Sequence, residues 1–262
     1  MRGRRPLPVA LAAAGALGLL VLVVLPVVAL AVRAPWSDLG DLLGEPANRT
    51  ALRLSAVVSV TALALSVLAG FPIAWVLART DVPGRAVLRA LVTLPMVLPP
   101  VVGGVALLVA FGRRGLVGQW LDDWLGVRLA YTTTAAVLAA TFVSLPFFVV
   151  TVEAALASVD RRPEEVARTL GARPWTVLRR VTLPSIRGAL AAGGALAWAR
   201  GLGEFGATIT FAGSFEGRTQ TMPLAITRAL EQDVGSAILL SLVLVAVSVV
   251  VLASLRARWW SP

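Results

Sequence analysis

Cysteine, histidine and lysine are all missing from the 262-residue chain, tyrosine occurs once, and charged residues make up only 15%. Without cysteine there is neither a disulfide framework nor a thiolate nucleophile. Without cysteine and histidine there is no zinc site of the usual type, no histidine general base and no Ser-His-Asp triad. Without lysine the chain has no G-x4-G-K-[S/T] phosphate loop, so nucleotide hydrolysis of that kind must be done by another protein. These gaps remove most nucleophilic, metal-hydrolytic and nucleotide-driven chemistry for the chain acting alone.

Apolar residues dominate what is left. They make up 58% of the chain, and its mean hydropathy is +0.84. A soluble domain is about 45–50% apolar with roughly a quarter of its residues charged. This chain carries more apolar surface than one water-facing core hides, and its expected solvent is a lipid bilayer. Stretches of about 20 apolar residues are what a crossing helix needs, and six are present: 8–32, 54–78, 86–111, 132–156, 187–212 and 234–255. The second is interrupted by Gly70 and Pro72, and the fifth contains Arg200 and Glu204. The first is longer than the 7–15 residues of a signal-peptide core and ends without a clean small-x-small site, so it reads as a retained anchor. The expected fold is an all-α polytopic membrane protein with six transmembrane helices. Residues 1–53 form an N-terminal anchor and external loop, and residues 54–256 form the core.

The net charge of +10 comes from 24 arginines against 14 acidic residues. In a soluble protein that balance would raise the question of nucleic acid. With both termini placed inside, 15 arginines fall on cytoplasmic segments and 8 on external loops, with Arg200 in a span. The formal charge then divides into +11 inside, 0 outside and −1 within the spans. This is the positive-inside pattern, so the charge sets orientation and names no nucleic-acid partner. The expected place is the cytoplasmic (inner) membrane of a bacterium, in contact with membrane lipid, with both termini cytoplasmic. Trp36, Trp120 and Trp124 in the loops 33–53 and 112–131 suit an interfacial belt.

The longest cytoplasmic segment, 157–186, has its own composition. Pro163 suits the first turn of a helix, and Glu164 and Glu165 complement the positive end of its dipole. Gly171 fits a left-handed C-terminal cap, and Pro174 can start a second short helix. Val166, Leu170, Trp175 and Leu178 would then offer apolar surface on a charged element. Glu165-Val166-Ala167, three residues, Gly171, nine residues, then Val181-Thr182-Leu183-Pro184 resembles the E-A-A-x3-G-x9-I-x-L-P loop of bacterial ABC importer permeases. Val166 replaces the first Ala of that pattern and Val181 its Ile. The resemblance implies a type I ABC importer permease architecture and a coupling helix seated on an ATPase. Glu165, Ala167, Gly171, Leu183 and Pro184 would carry that coupling. A generic amphipathic loop at the membrane surface is the plainer alternative, but it needs no fixed Gly or Leu-Pro.

In the fifth span, Gly201-x-Gly203-x-x-Gly206 matches a dinucleotide fingerprint by letters only, since no strand precedes it and an apolar span surrounds it. The glycines fit close helix approach or local unwinding near a passage. Arg200 and Glu204 are four positions apart and share a helical face, about 20 Å from the span's cytoplasmic end. The pair either lines the translocation path or is a neutral couple that lets the helix insert. Arg200 neutralises a carboxylate that would otherwise repel an anion. Pro99 and Pro100 in the third span, and Pro146 in the fourth, remove backbone donors. They either bend a gate or are kinks that neighbouring helices satisfy.

Residues Gly203–Gly213 with Arg218–Ile226, Leu94–Gly103 with Phe111–Leu116, and the cytoplasmic loop together resemble the molybdate permeases over most of residues 50–255. Sulfate/thiosulfate and tungstate permeases are close relatives of that family. The resemblance implies passage of a tetrahedral oxyanion, selected mainly by a periplasmic or lipoprotein substrate-binding protein. Two ATPase subunits would use ATP and Mg, with no cofactor bound by this chain, and the permease would be a homodimer. Path candidates are Arg200, Glu204, Gly206, Thr208, Pro99 and Pro100. A proton-coupled secondary transporter relaying through Glu153, Arg200 and Glu204 is a rival, but it leaves the Glu165–Pro184 spacing unexplained. An intramembrane enzyme is a weaker rival, built without His or Cys.

Overall fold

The computed structural model describes residues 9–257, and all regular structure among them is helical. Four helices are long and apolar enough to cross a membrane on their own. These are α1 (Val9–Arg33), α3 (Pro46–Arg79), α7 (Thr133–Ser158) and α14 (Val234–Ala257). Between α1 and α3 lies the short α2 (Leu39–Gly44). The third expected span forms as two helices, α4 (Arg85–Val97) and α5 (Pro100–Phe111), bent by 118° at their junction. The double proline Pro99-Pro100 sits at this break. Neither residue can donate a backbone hydrogen bond, and Pro100 starts α5 at a position where no donor is needed.

A short helix α6 (Gly118–Leu125) precedes α7. The fifth expected span, 187–212, also divides, into α11 (Arg187–Leu202) and α12 (Gly206–Phe211). At 16 residues α11 is about 24 Å long, short of the roughly 30 Å of a hydrocarbon core. Counted by length, the described residues therefore give four unbroken spans and one bent one, and the fifth expected span is the divided pair α11 and α12. Between α12 and α14, where an external loop was expected, residues Met222–Gln232 form helix α13. The Met222 N–H donates to Ser55 Oγ of α3 at 2.7 Å, which ties the start of α13 to that span.

The second span runs unbroken from Pro46 to Arg79, so Gly70 and Pro72 do not interrupt it and it starts earlier than residue 54. Gly70 has a packing role instead. A Cβ there would lie 2.8 Å from Phe148 Cδ1 of α7, so its absence makes room for that ring. Pro146 likewise sits inside an uninterrupted α7.

Small residues pack the centre. In one cluster Ala62 of α3 meets Ala136, Ala139 and Ala140 of α7, with Ala207 and Phe211 of α12. In a second, Ala74 and Leu77 of α3 pack with Phe148, Val149, Val152 and Leu156 of α7 and Ala197 of α11. Where lipid is as apolar as leucine, helices associate by close van der Waals contact, and alanine and glycine allow it. By contrast α1 leaves apolar side chains uncovered, Leu17, Leu22, Leu25, Val28 and Val32 among them.

Candidate functional site

The segment 157–186, expected on the cytoplasmic side, forms α8 (Arg162–Thr169), α9 (Pro174–Val177), a π turn (Leu178–Thr182) and α10 (Leu183–Ser185), which leads into α11. Pro163 lies in the first turn of α8 with Glu164 and Glu165. Gly171 ends the helix at φ +84°. Its N–H donates to Arg168 O at 2.9 Å, and the Ala172 N–H donates to Ala167 O at 3.0 Å. This is a Schellman closure, with glycine at the left-handed position. Pro174 opens α9 as expected.

The Leu-Pro of the motif also has a local consequence. Pro184 lacks the N–H that would reach Arg180 O in an α-helix, and just before it the register widens to π, the Leu183 N–H donating to Leu178 O.

The two faces of α8 differ. Glu165 is exposed and Ala167 half-buried. Val166 and Leu170 point outward, Leu170 with 82% of its surface exposed, and Trp175 of α9 is 64% exposed. Leu183 is half-buried and Pro184 exposed. An uncovered leucine, valine and tryptophan beside arginines form an unpartnered apolar patch, the kind that marks an interaction surface. On the opposite face Glu164 is buried, pairing with Arg79 of α3 at 3.0 Å and accepting from the Thr182 hydroxyl at 2.9 Å. Sequence reasoning missed Glu164, Arg79 and Thr182 as a unit. Successive helical residues turn by 100°, so two adjacent acids in one turn point in different directions, and that spacing was the available signal.

The second locus is where the two broken spans meet. Gly206, at the start of α12, lies so close to α5 that a Cβ would sit 2.7 Å from Pro100 Cβ and 3.2 Å from Val101 N. From the other side, a Cβ on Gly104 would lie 2.8 Å from the Ala207 Cα and carbonyl oxygen. The two breaks thus face each other, with backbone packed on backbone. Pro100 and Gly206 are brought together here, with Pro99 and the buried Thr208 next to them along the chain.

Arg200 Nη1 lies 2.6 Å from Glu204 Oε2. The helical face expected to hold both ends at Leu202, and Glu204 lies in the break. The ion pair closes all the same. Its other oxygen, Oε1, accepts from the Ala207 N–H at 2.7 Å and so caps α12. One carboxylate, 3% exposed, neutralises an arginine and satisfies an orphan helix donor. Beside the break a cavity of about 460 Å³ opens between Phe205 and Ile209 on one wall and Ser214, Thr227, Arg228 and Glu231 on the other. Glu153 is paired with Arg89, joining α4 to α7 away from Arg200 and Glu204.

In the connection between α5 and α7, Asp122 of α6 accepts from Arg128 Nε at 2.9 Å and Arg113 Nε at 2.8 Å. Arg128 first, and then Arg113, hold the Asp122 carboxyl below the usual carboxylate range.

Residues 70–259 match the family model described as binding-protein-dependent transport system inner membrane component. The molybdenum transport system permease protein ModB of Mycobacterium tuberculosis is 49% identical, over 91% of this chain and 90% of that protein. The sulfate transport system permease protein CysW of Synechocystis sp. is 36% identical, over 78% of this chain and 75% of that protein. Among solved structures, a bacterial alginate ABC transporter in complex with an alginate pentasaccharide-bound periplasmic protein contains a similar chain. It has TM-score 0.70 and 18% identity, covering 94% of this chain and 91% of that one, a likeness of fold.

Proposed function

From the premise that this chain belongs to the binding-protein-dependent transport system inner membrane components, we propose that it is the permease subunit of an ATP-driven importer that carries molybdate into the cytoplasm. It is a multi-pass protein of the inner membrane whose own role is passage, with chemistry left to partners. The observation that carries the substrate is the 49% identity to a molybdenum permease along nine-tenths of both chains. The sulfate relative is more distant, at 36%, which makes sulfate the second reading and tungstate a third. Tetrahedral dianions of similar size differ little in what a path must sense, so a binding protein outside would do most of the selecting.

In this reading two copies of the chain enclose the path, and two ATPase subunits dock on the outward face of α8 and α9. Val166, Leu170 and Trp175 supply the apolar anchor there. Glu165, Ala167 and Gly171 give the helix its charge, close approach and sharp end, while Leu183 and Pro184 set the turn into α11. The ATPases bind ATP and Mg, and this chain binds no cofactor. ATP-driven closure moves α8 as a rigid body and alternates the opening of the path. The termini lie in the cytoplasm, in keeping with the arginine distribution.

At the path, Glu204 is neutralised by Arg200, so an anion meets no net negative charge at the break. The mutual contact of Gly206 with Pro100 and of Gly104 with Ala207 supports a narrow point that opens only if α5 and α12 separate.

The test is uptake of labelled molybdate by vesicles holding this chain with its ATPase and binding protein. Molybdate should enter, and a hundredfold excess of sulfate should leave uptake at least half intact. Sulfate entering in preference to molybdate would transfer the assignment to the second reading.

A further inference from the structure

The chain links α8 covalently to the end of α7 on one side and to α9 on the other, and never to α3. Apolar packing does not supply the missing link, because Val166 and Leu170 of α8 both point away from the spans. What joins α8 to α3 is charge. Glu164 is 4% exposed, and its Oε1 takes hydrogen bonds from Arg79 Nη2 and the Thr182 hydroxyl at 3.0 and 2.9 Å. Its Oε2 lies 3.7 Å from Arg168, one turn along α8. Arg161, just ahead of α8, donates from Nη2 to Ala78 O at 3.4 Å. Arg79 is the last residue of α3, and its guanidinium also sits 5.9 Å from the centre of the Trp75 ring. Thr182 closes the π turn that feeds α11 through α10.

We propose that Glu164 is a positioning residue for transport, a tether whose single carboxylate makes α8 move together with both α3 and the segment entering α11. The proposal rests on the reading of α8 as the ATPase-docking helix. A charge-assisted bond between groups removed from water is stiff and directional, whereas the connections 159–161 and 170–173 that flank α8 are irregular backbone. With the tether in place, displacement of α8 reaches two spans at once. Without it, α8 can swing on its own connections while its outward face stays the same.

Glu164→Gln keeps the volume and the Thr182 bond but removes the charge. It should leave the affinity of the permease for its ATPase within about twofold, since the outward face is untouched. Stimulation of ATP hydrolysis by the loaded binding protein, and molybdate carried per ATP, should each fall about tenfold, within the range of ordinary coupling free energies. The reversed pair Arg79→Glu with Glu164→Arg should restore at least a third of both. Unaltered coupling in Glu164→Gln would overturn the tether. So would loss of ATPase binding in step with coupling, which would make Glu164 part of the docking face. Thr182→Val preserves shape and ion pair and so gives a variant that folds if Glu164→Gln does not. It should lower the transport-to-hydrolysis ratio about threefold, as expected for the net worth of a single modest hydrogen bond, and an unchanged ratio would equally overturn the proposal. If wild-type vesicles show stimulation but no molybdate uptake, the substrate reading fails and the tether is still judged on stimulation.

Discussion

At the residue scale, two side-chain choices carry much of the argument. Gly171 needs its φ of +84° and meets nothing within 4 Å where a Cβ would stand. The demand is therefore one of backbone conformation alone. Gly171→Val should destabilise the end of α8 by about 1–2 kcal/mol, while Gly171→Asn, tolerated in left-handed geometry, should stay close to wild type. Measured as ATPase binding by the permease, equal loss in both variants would count against the cap as the cause. Gly171 was legible from sequence because a glycine followed closely by Pro174 marks a helix end followed by a start. Glu204 was only half legible. Four-residue spacing brought it to Arg200, but nothing in the letters said that α11 would stop at Leu202 and give its second oxygen to Ala207. Capping across a break depends on where tertiary packing ends the helix, and that is not a local property.

At the scale of elements, the breaks decide the path and the continuous helices decide the frame. Pro99-Pro100 removes two successive donors and breaks the third span. Single prolines at Pro72 and Pro146 leave α3 and α7 whole. The difference was not legible from the residue type, because neighbouring helices re-satisfy a single freed carbonyl. The contact of α5 with α12 is tight enough that Gly104→Val has no space short of moving backbone. Such overpacking costs about 1–3 kcal/mol. The variant should insert normally but lose most transport, and full transport by it would show that the two half-helices need not stay in register. Between α5 and α7, α6 is pinned by Asp122 between two arginines. The Asp122 carboxyl is held below its ordinary value, so the stabilisation it gives is complete above about pH 3.9 and is lost as pH falls through its lower folded value. Amide protection across residues 112–131, measured against the intrinsic exchange rate at each pH, should therefore hold at pH 5 and fall only in stronger acid. Loss of protection already near pH 6 would contradict that pairing.

For the whole molecule, composition was the most legible level. No soluble fold accommodates 58% apolar residues with so few charges, and the arginine asymmetry argued orientation before any helix was seen. The number of independent crossings was less legible, because hydropathy sees residues 86–111 and 187–212 as single runs and is blind to the bend of 118° in one and the gap at 203–205 in the other. Both defects sit where the two segments touch, so the places at which apolar periodicity misleads are those assigned to passage. In the proposed function the chain moves while a partner hydrolyses ATP. That division of labour is the central claim, and its most direct measurement is labelled molybdate uptake into sealed vesicles holding the permease, its ATPase and its binding protein, with the energy source varied. Uptake should require ATP together with both partners, and a pH gradient imposed on the permease alone should drive none. Molybdate accumulation by the permease alone under that gradient would contradict the account.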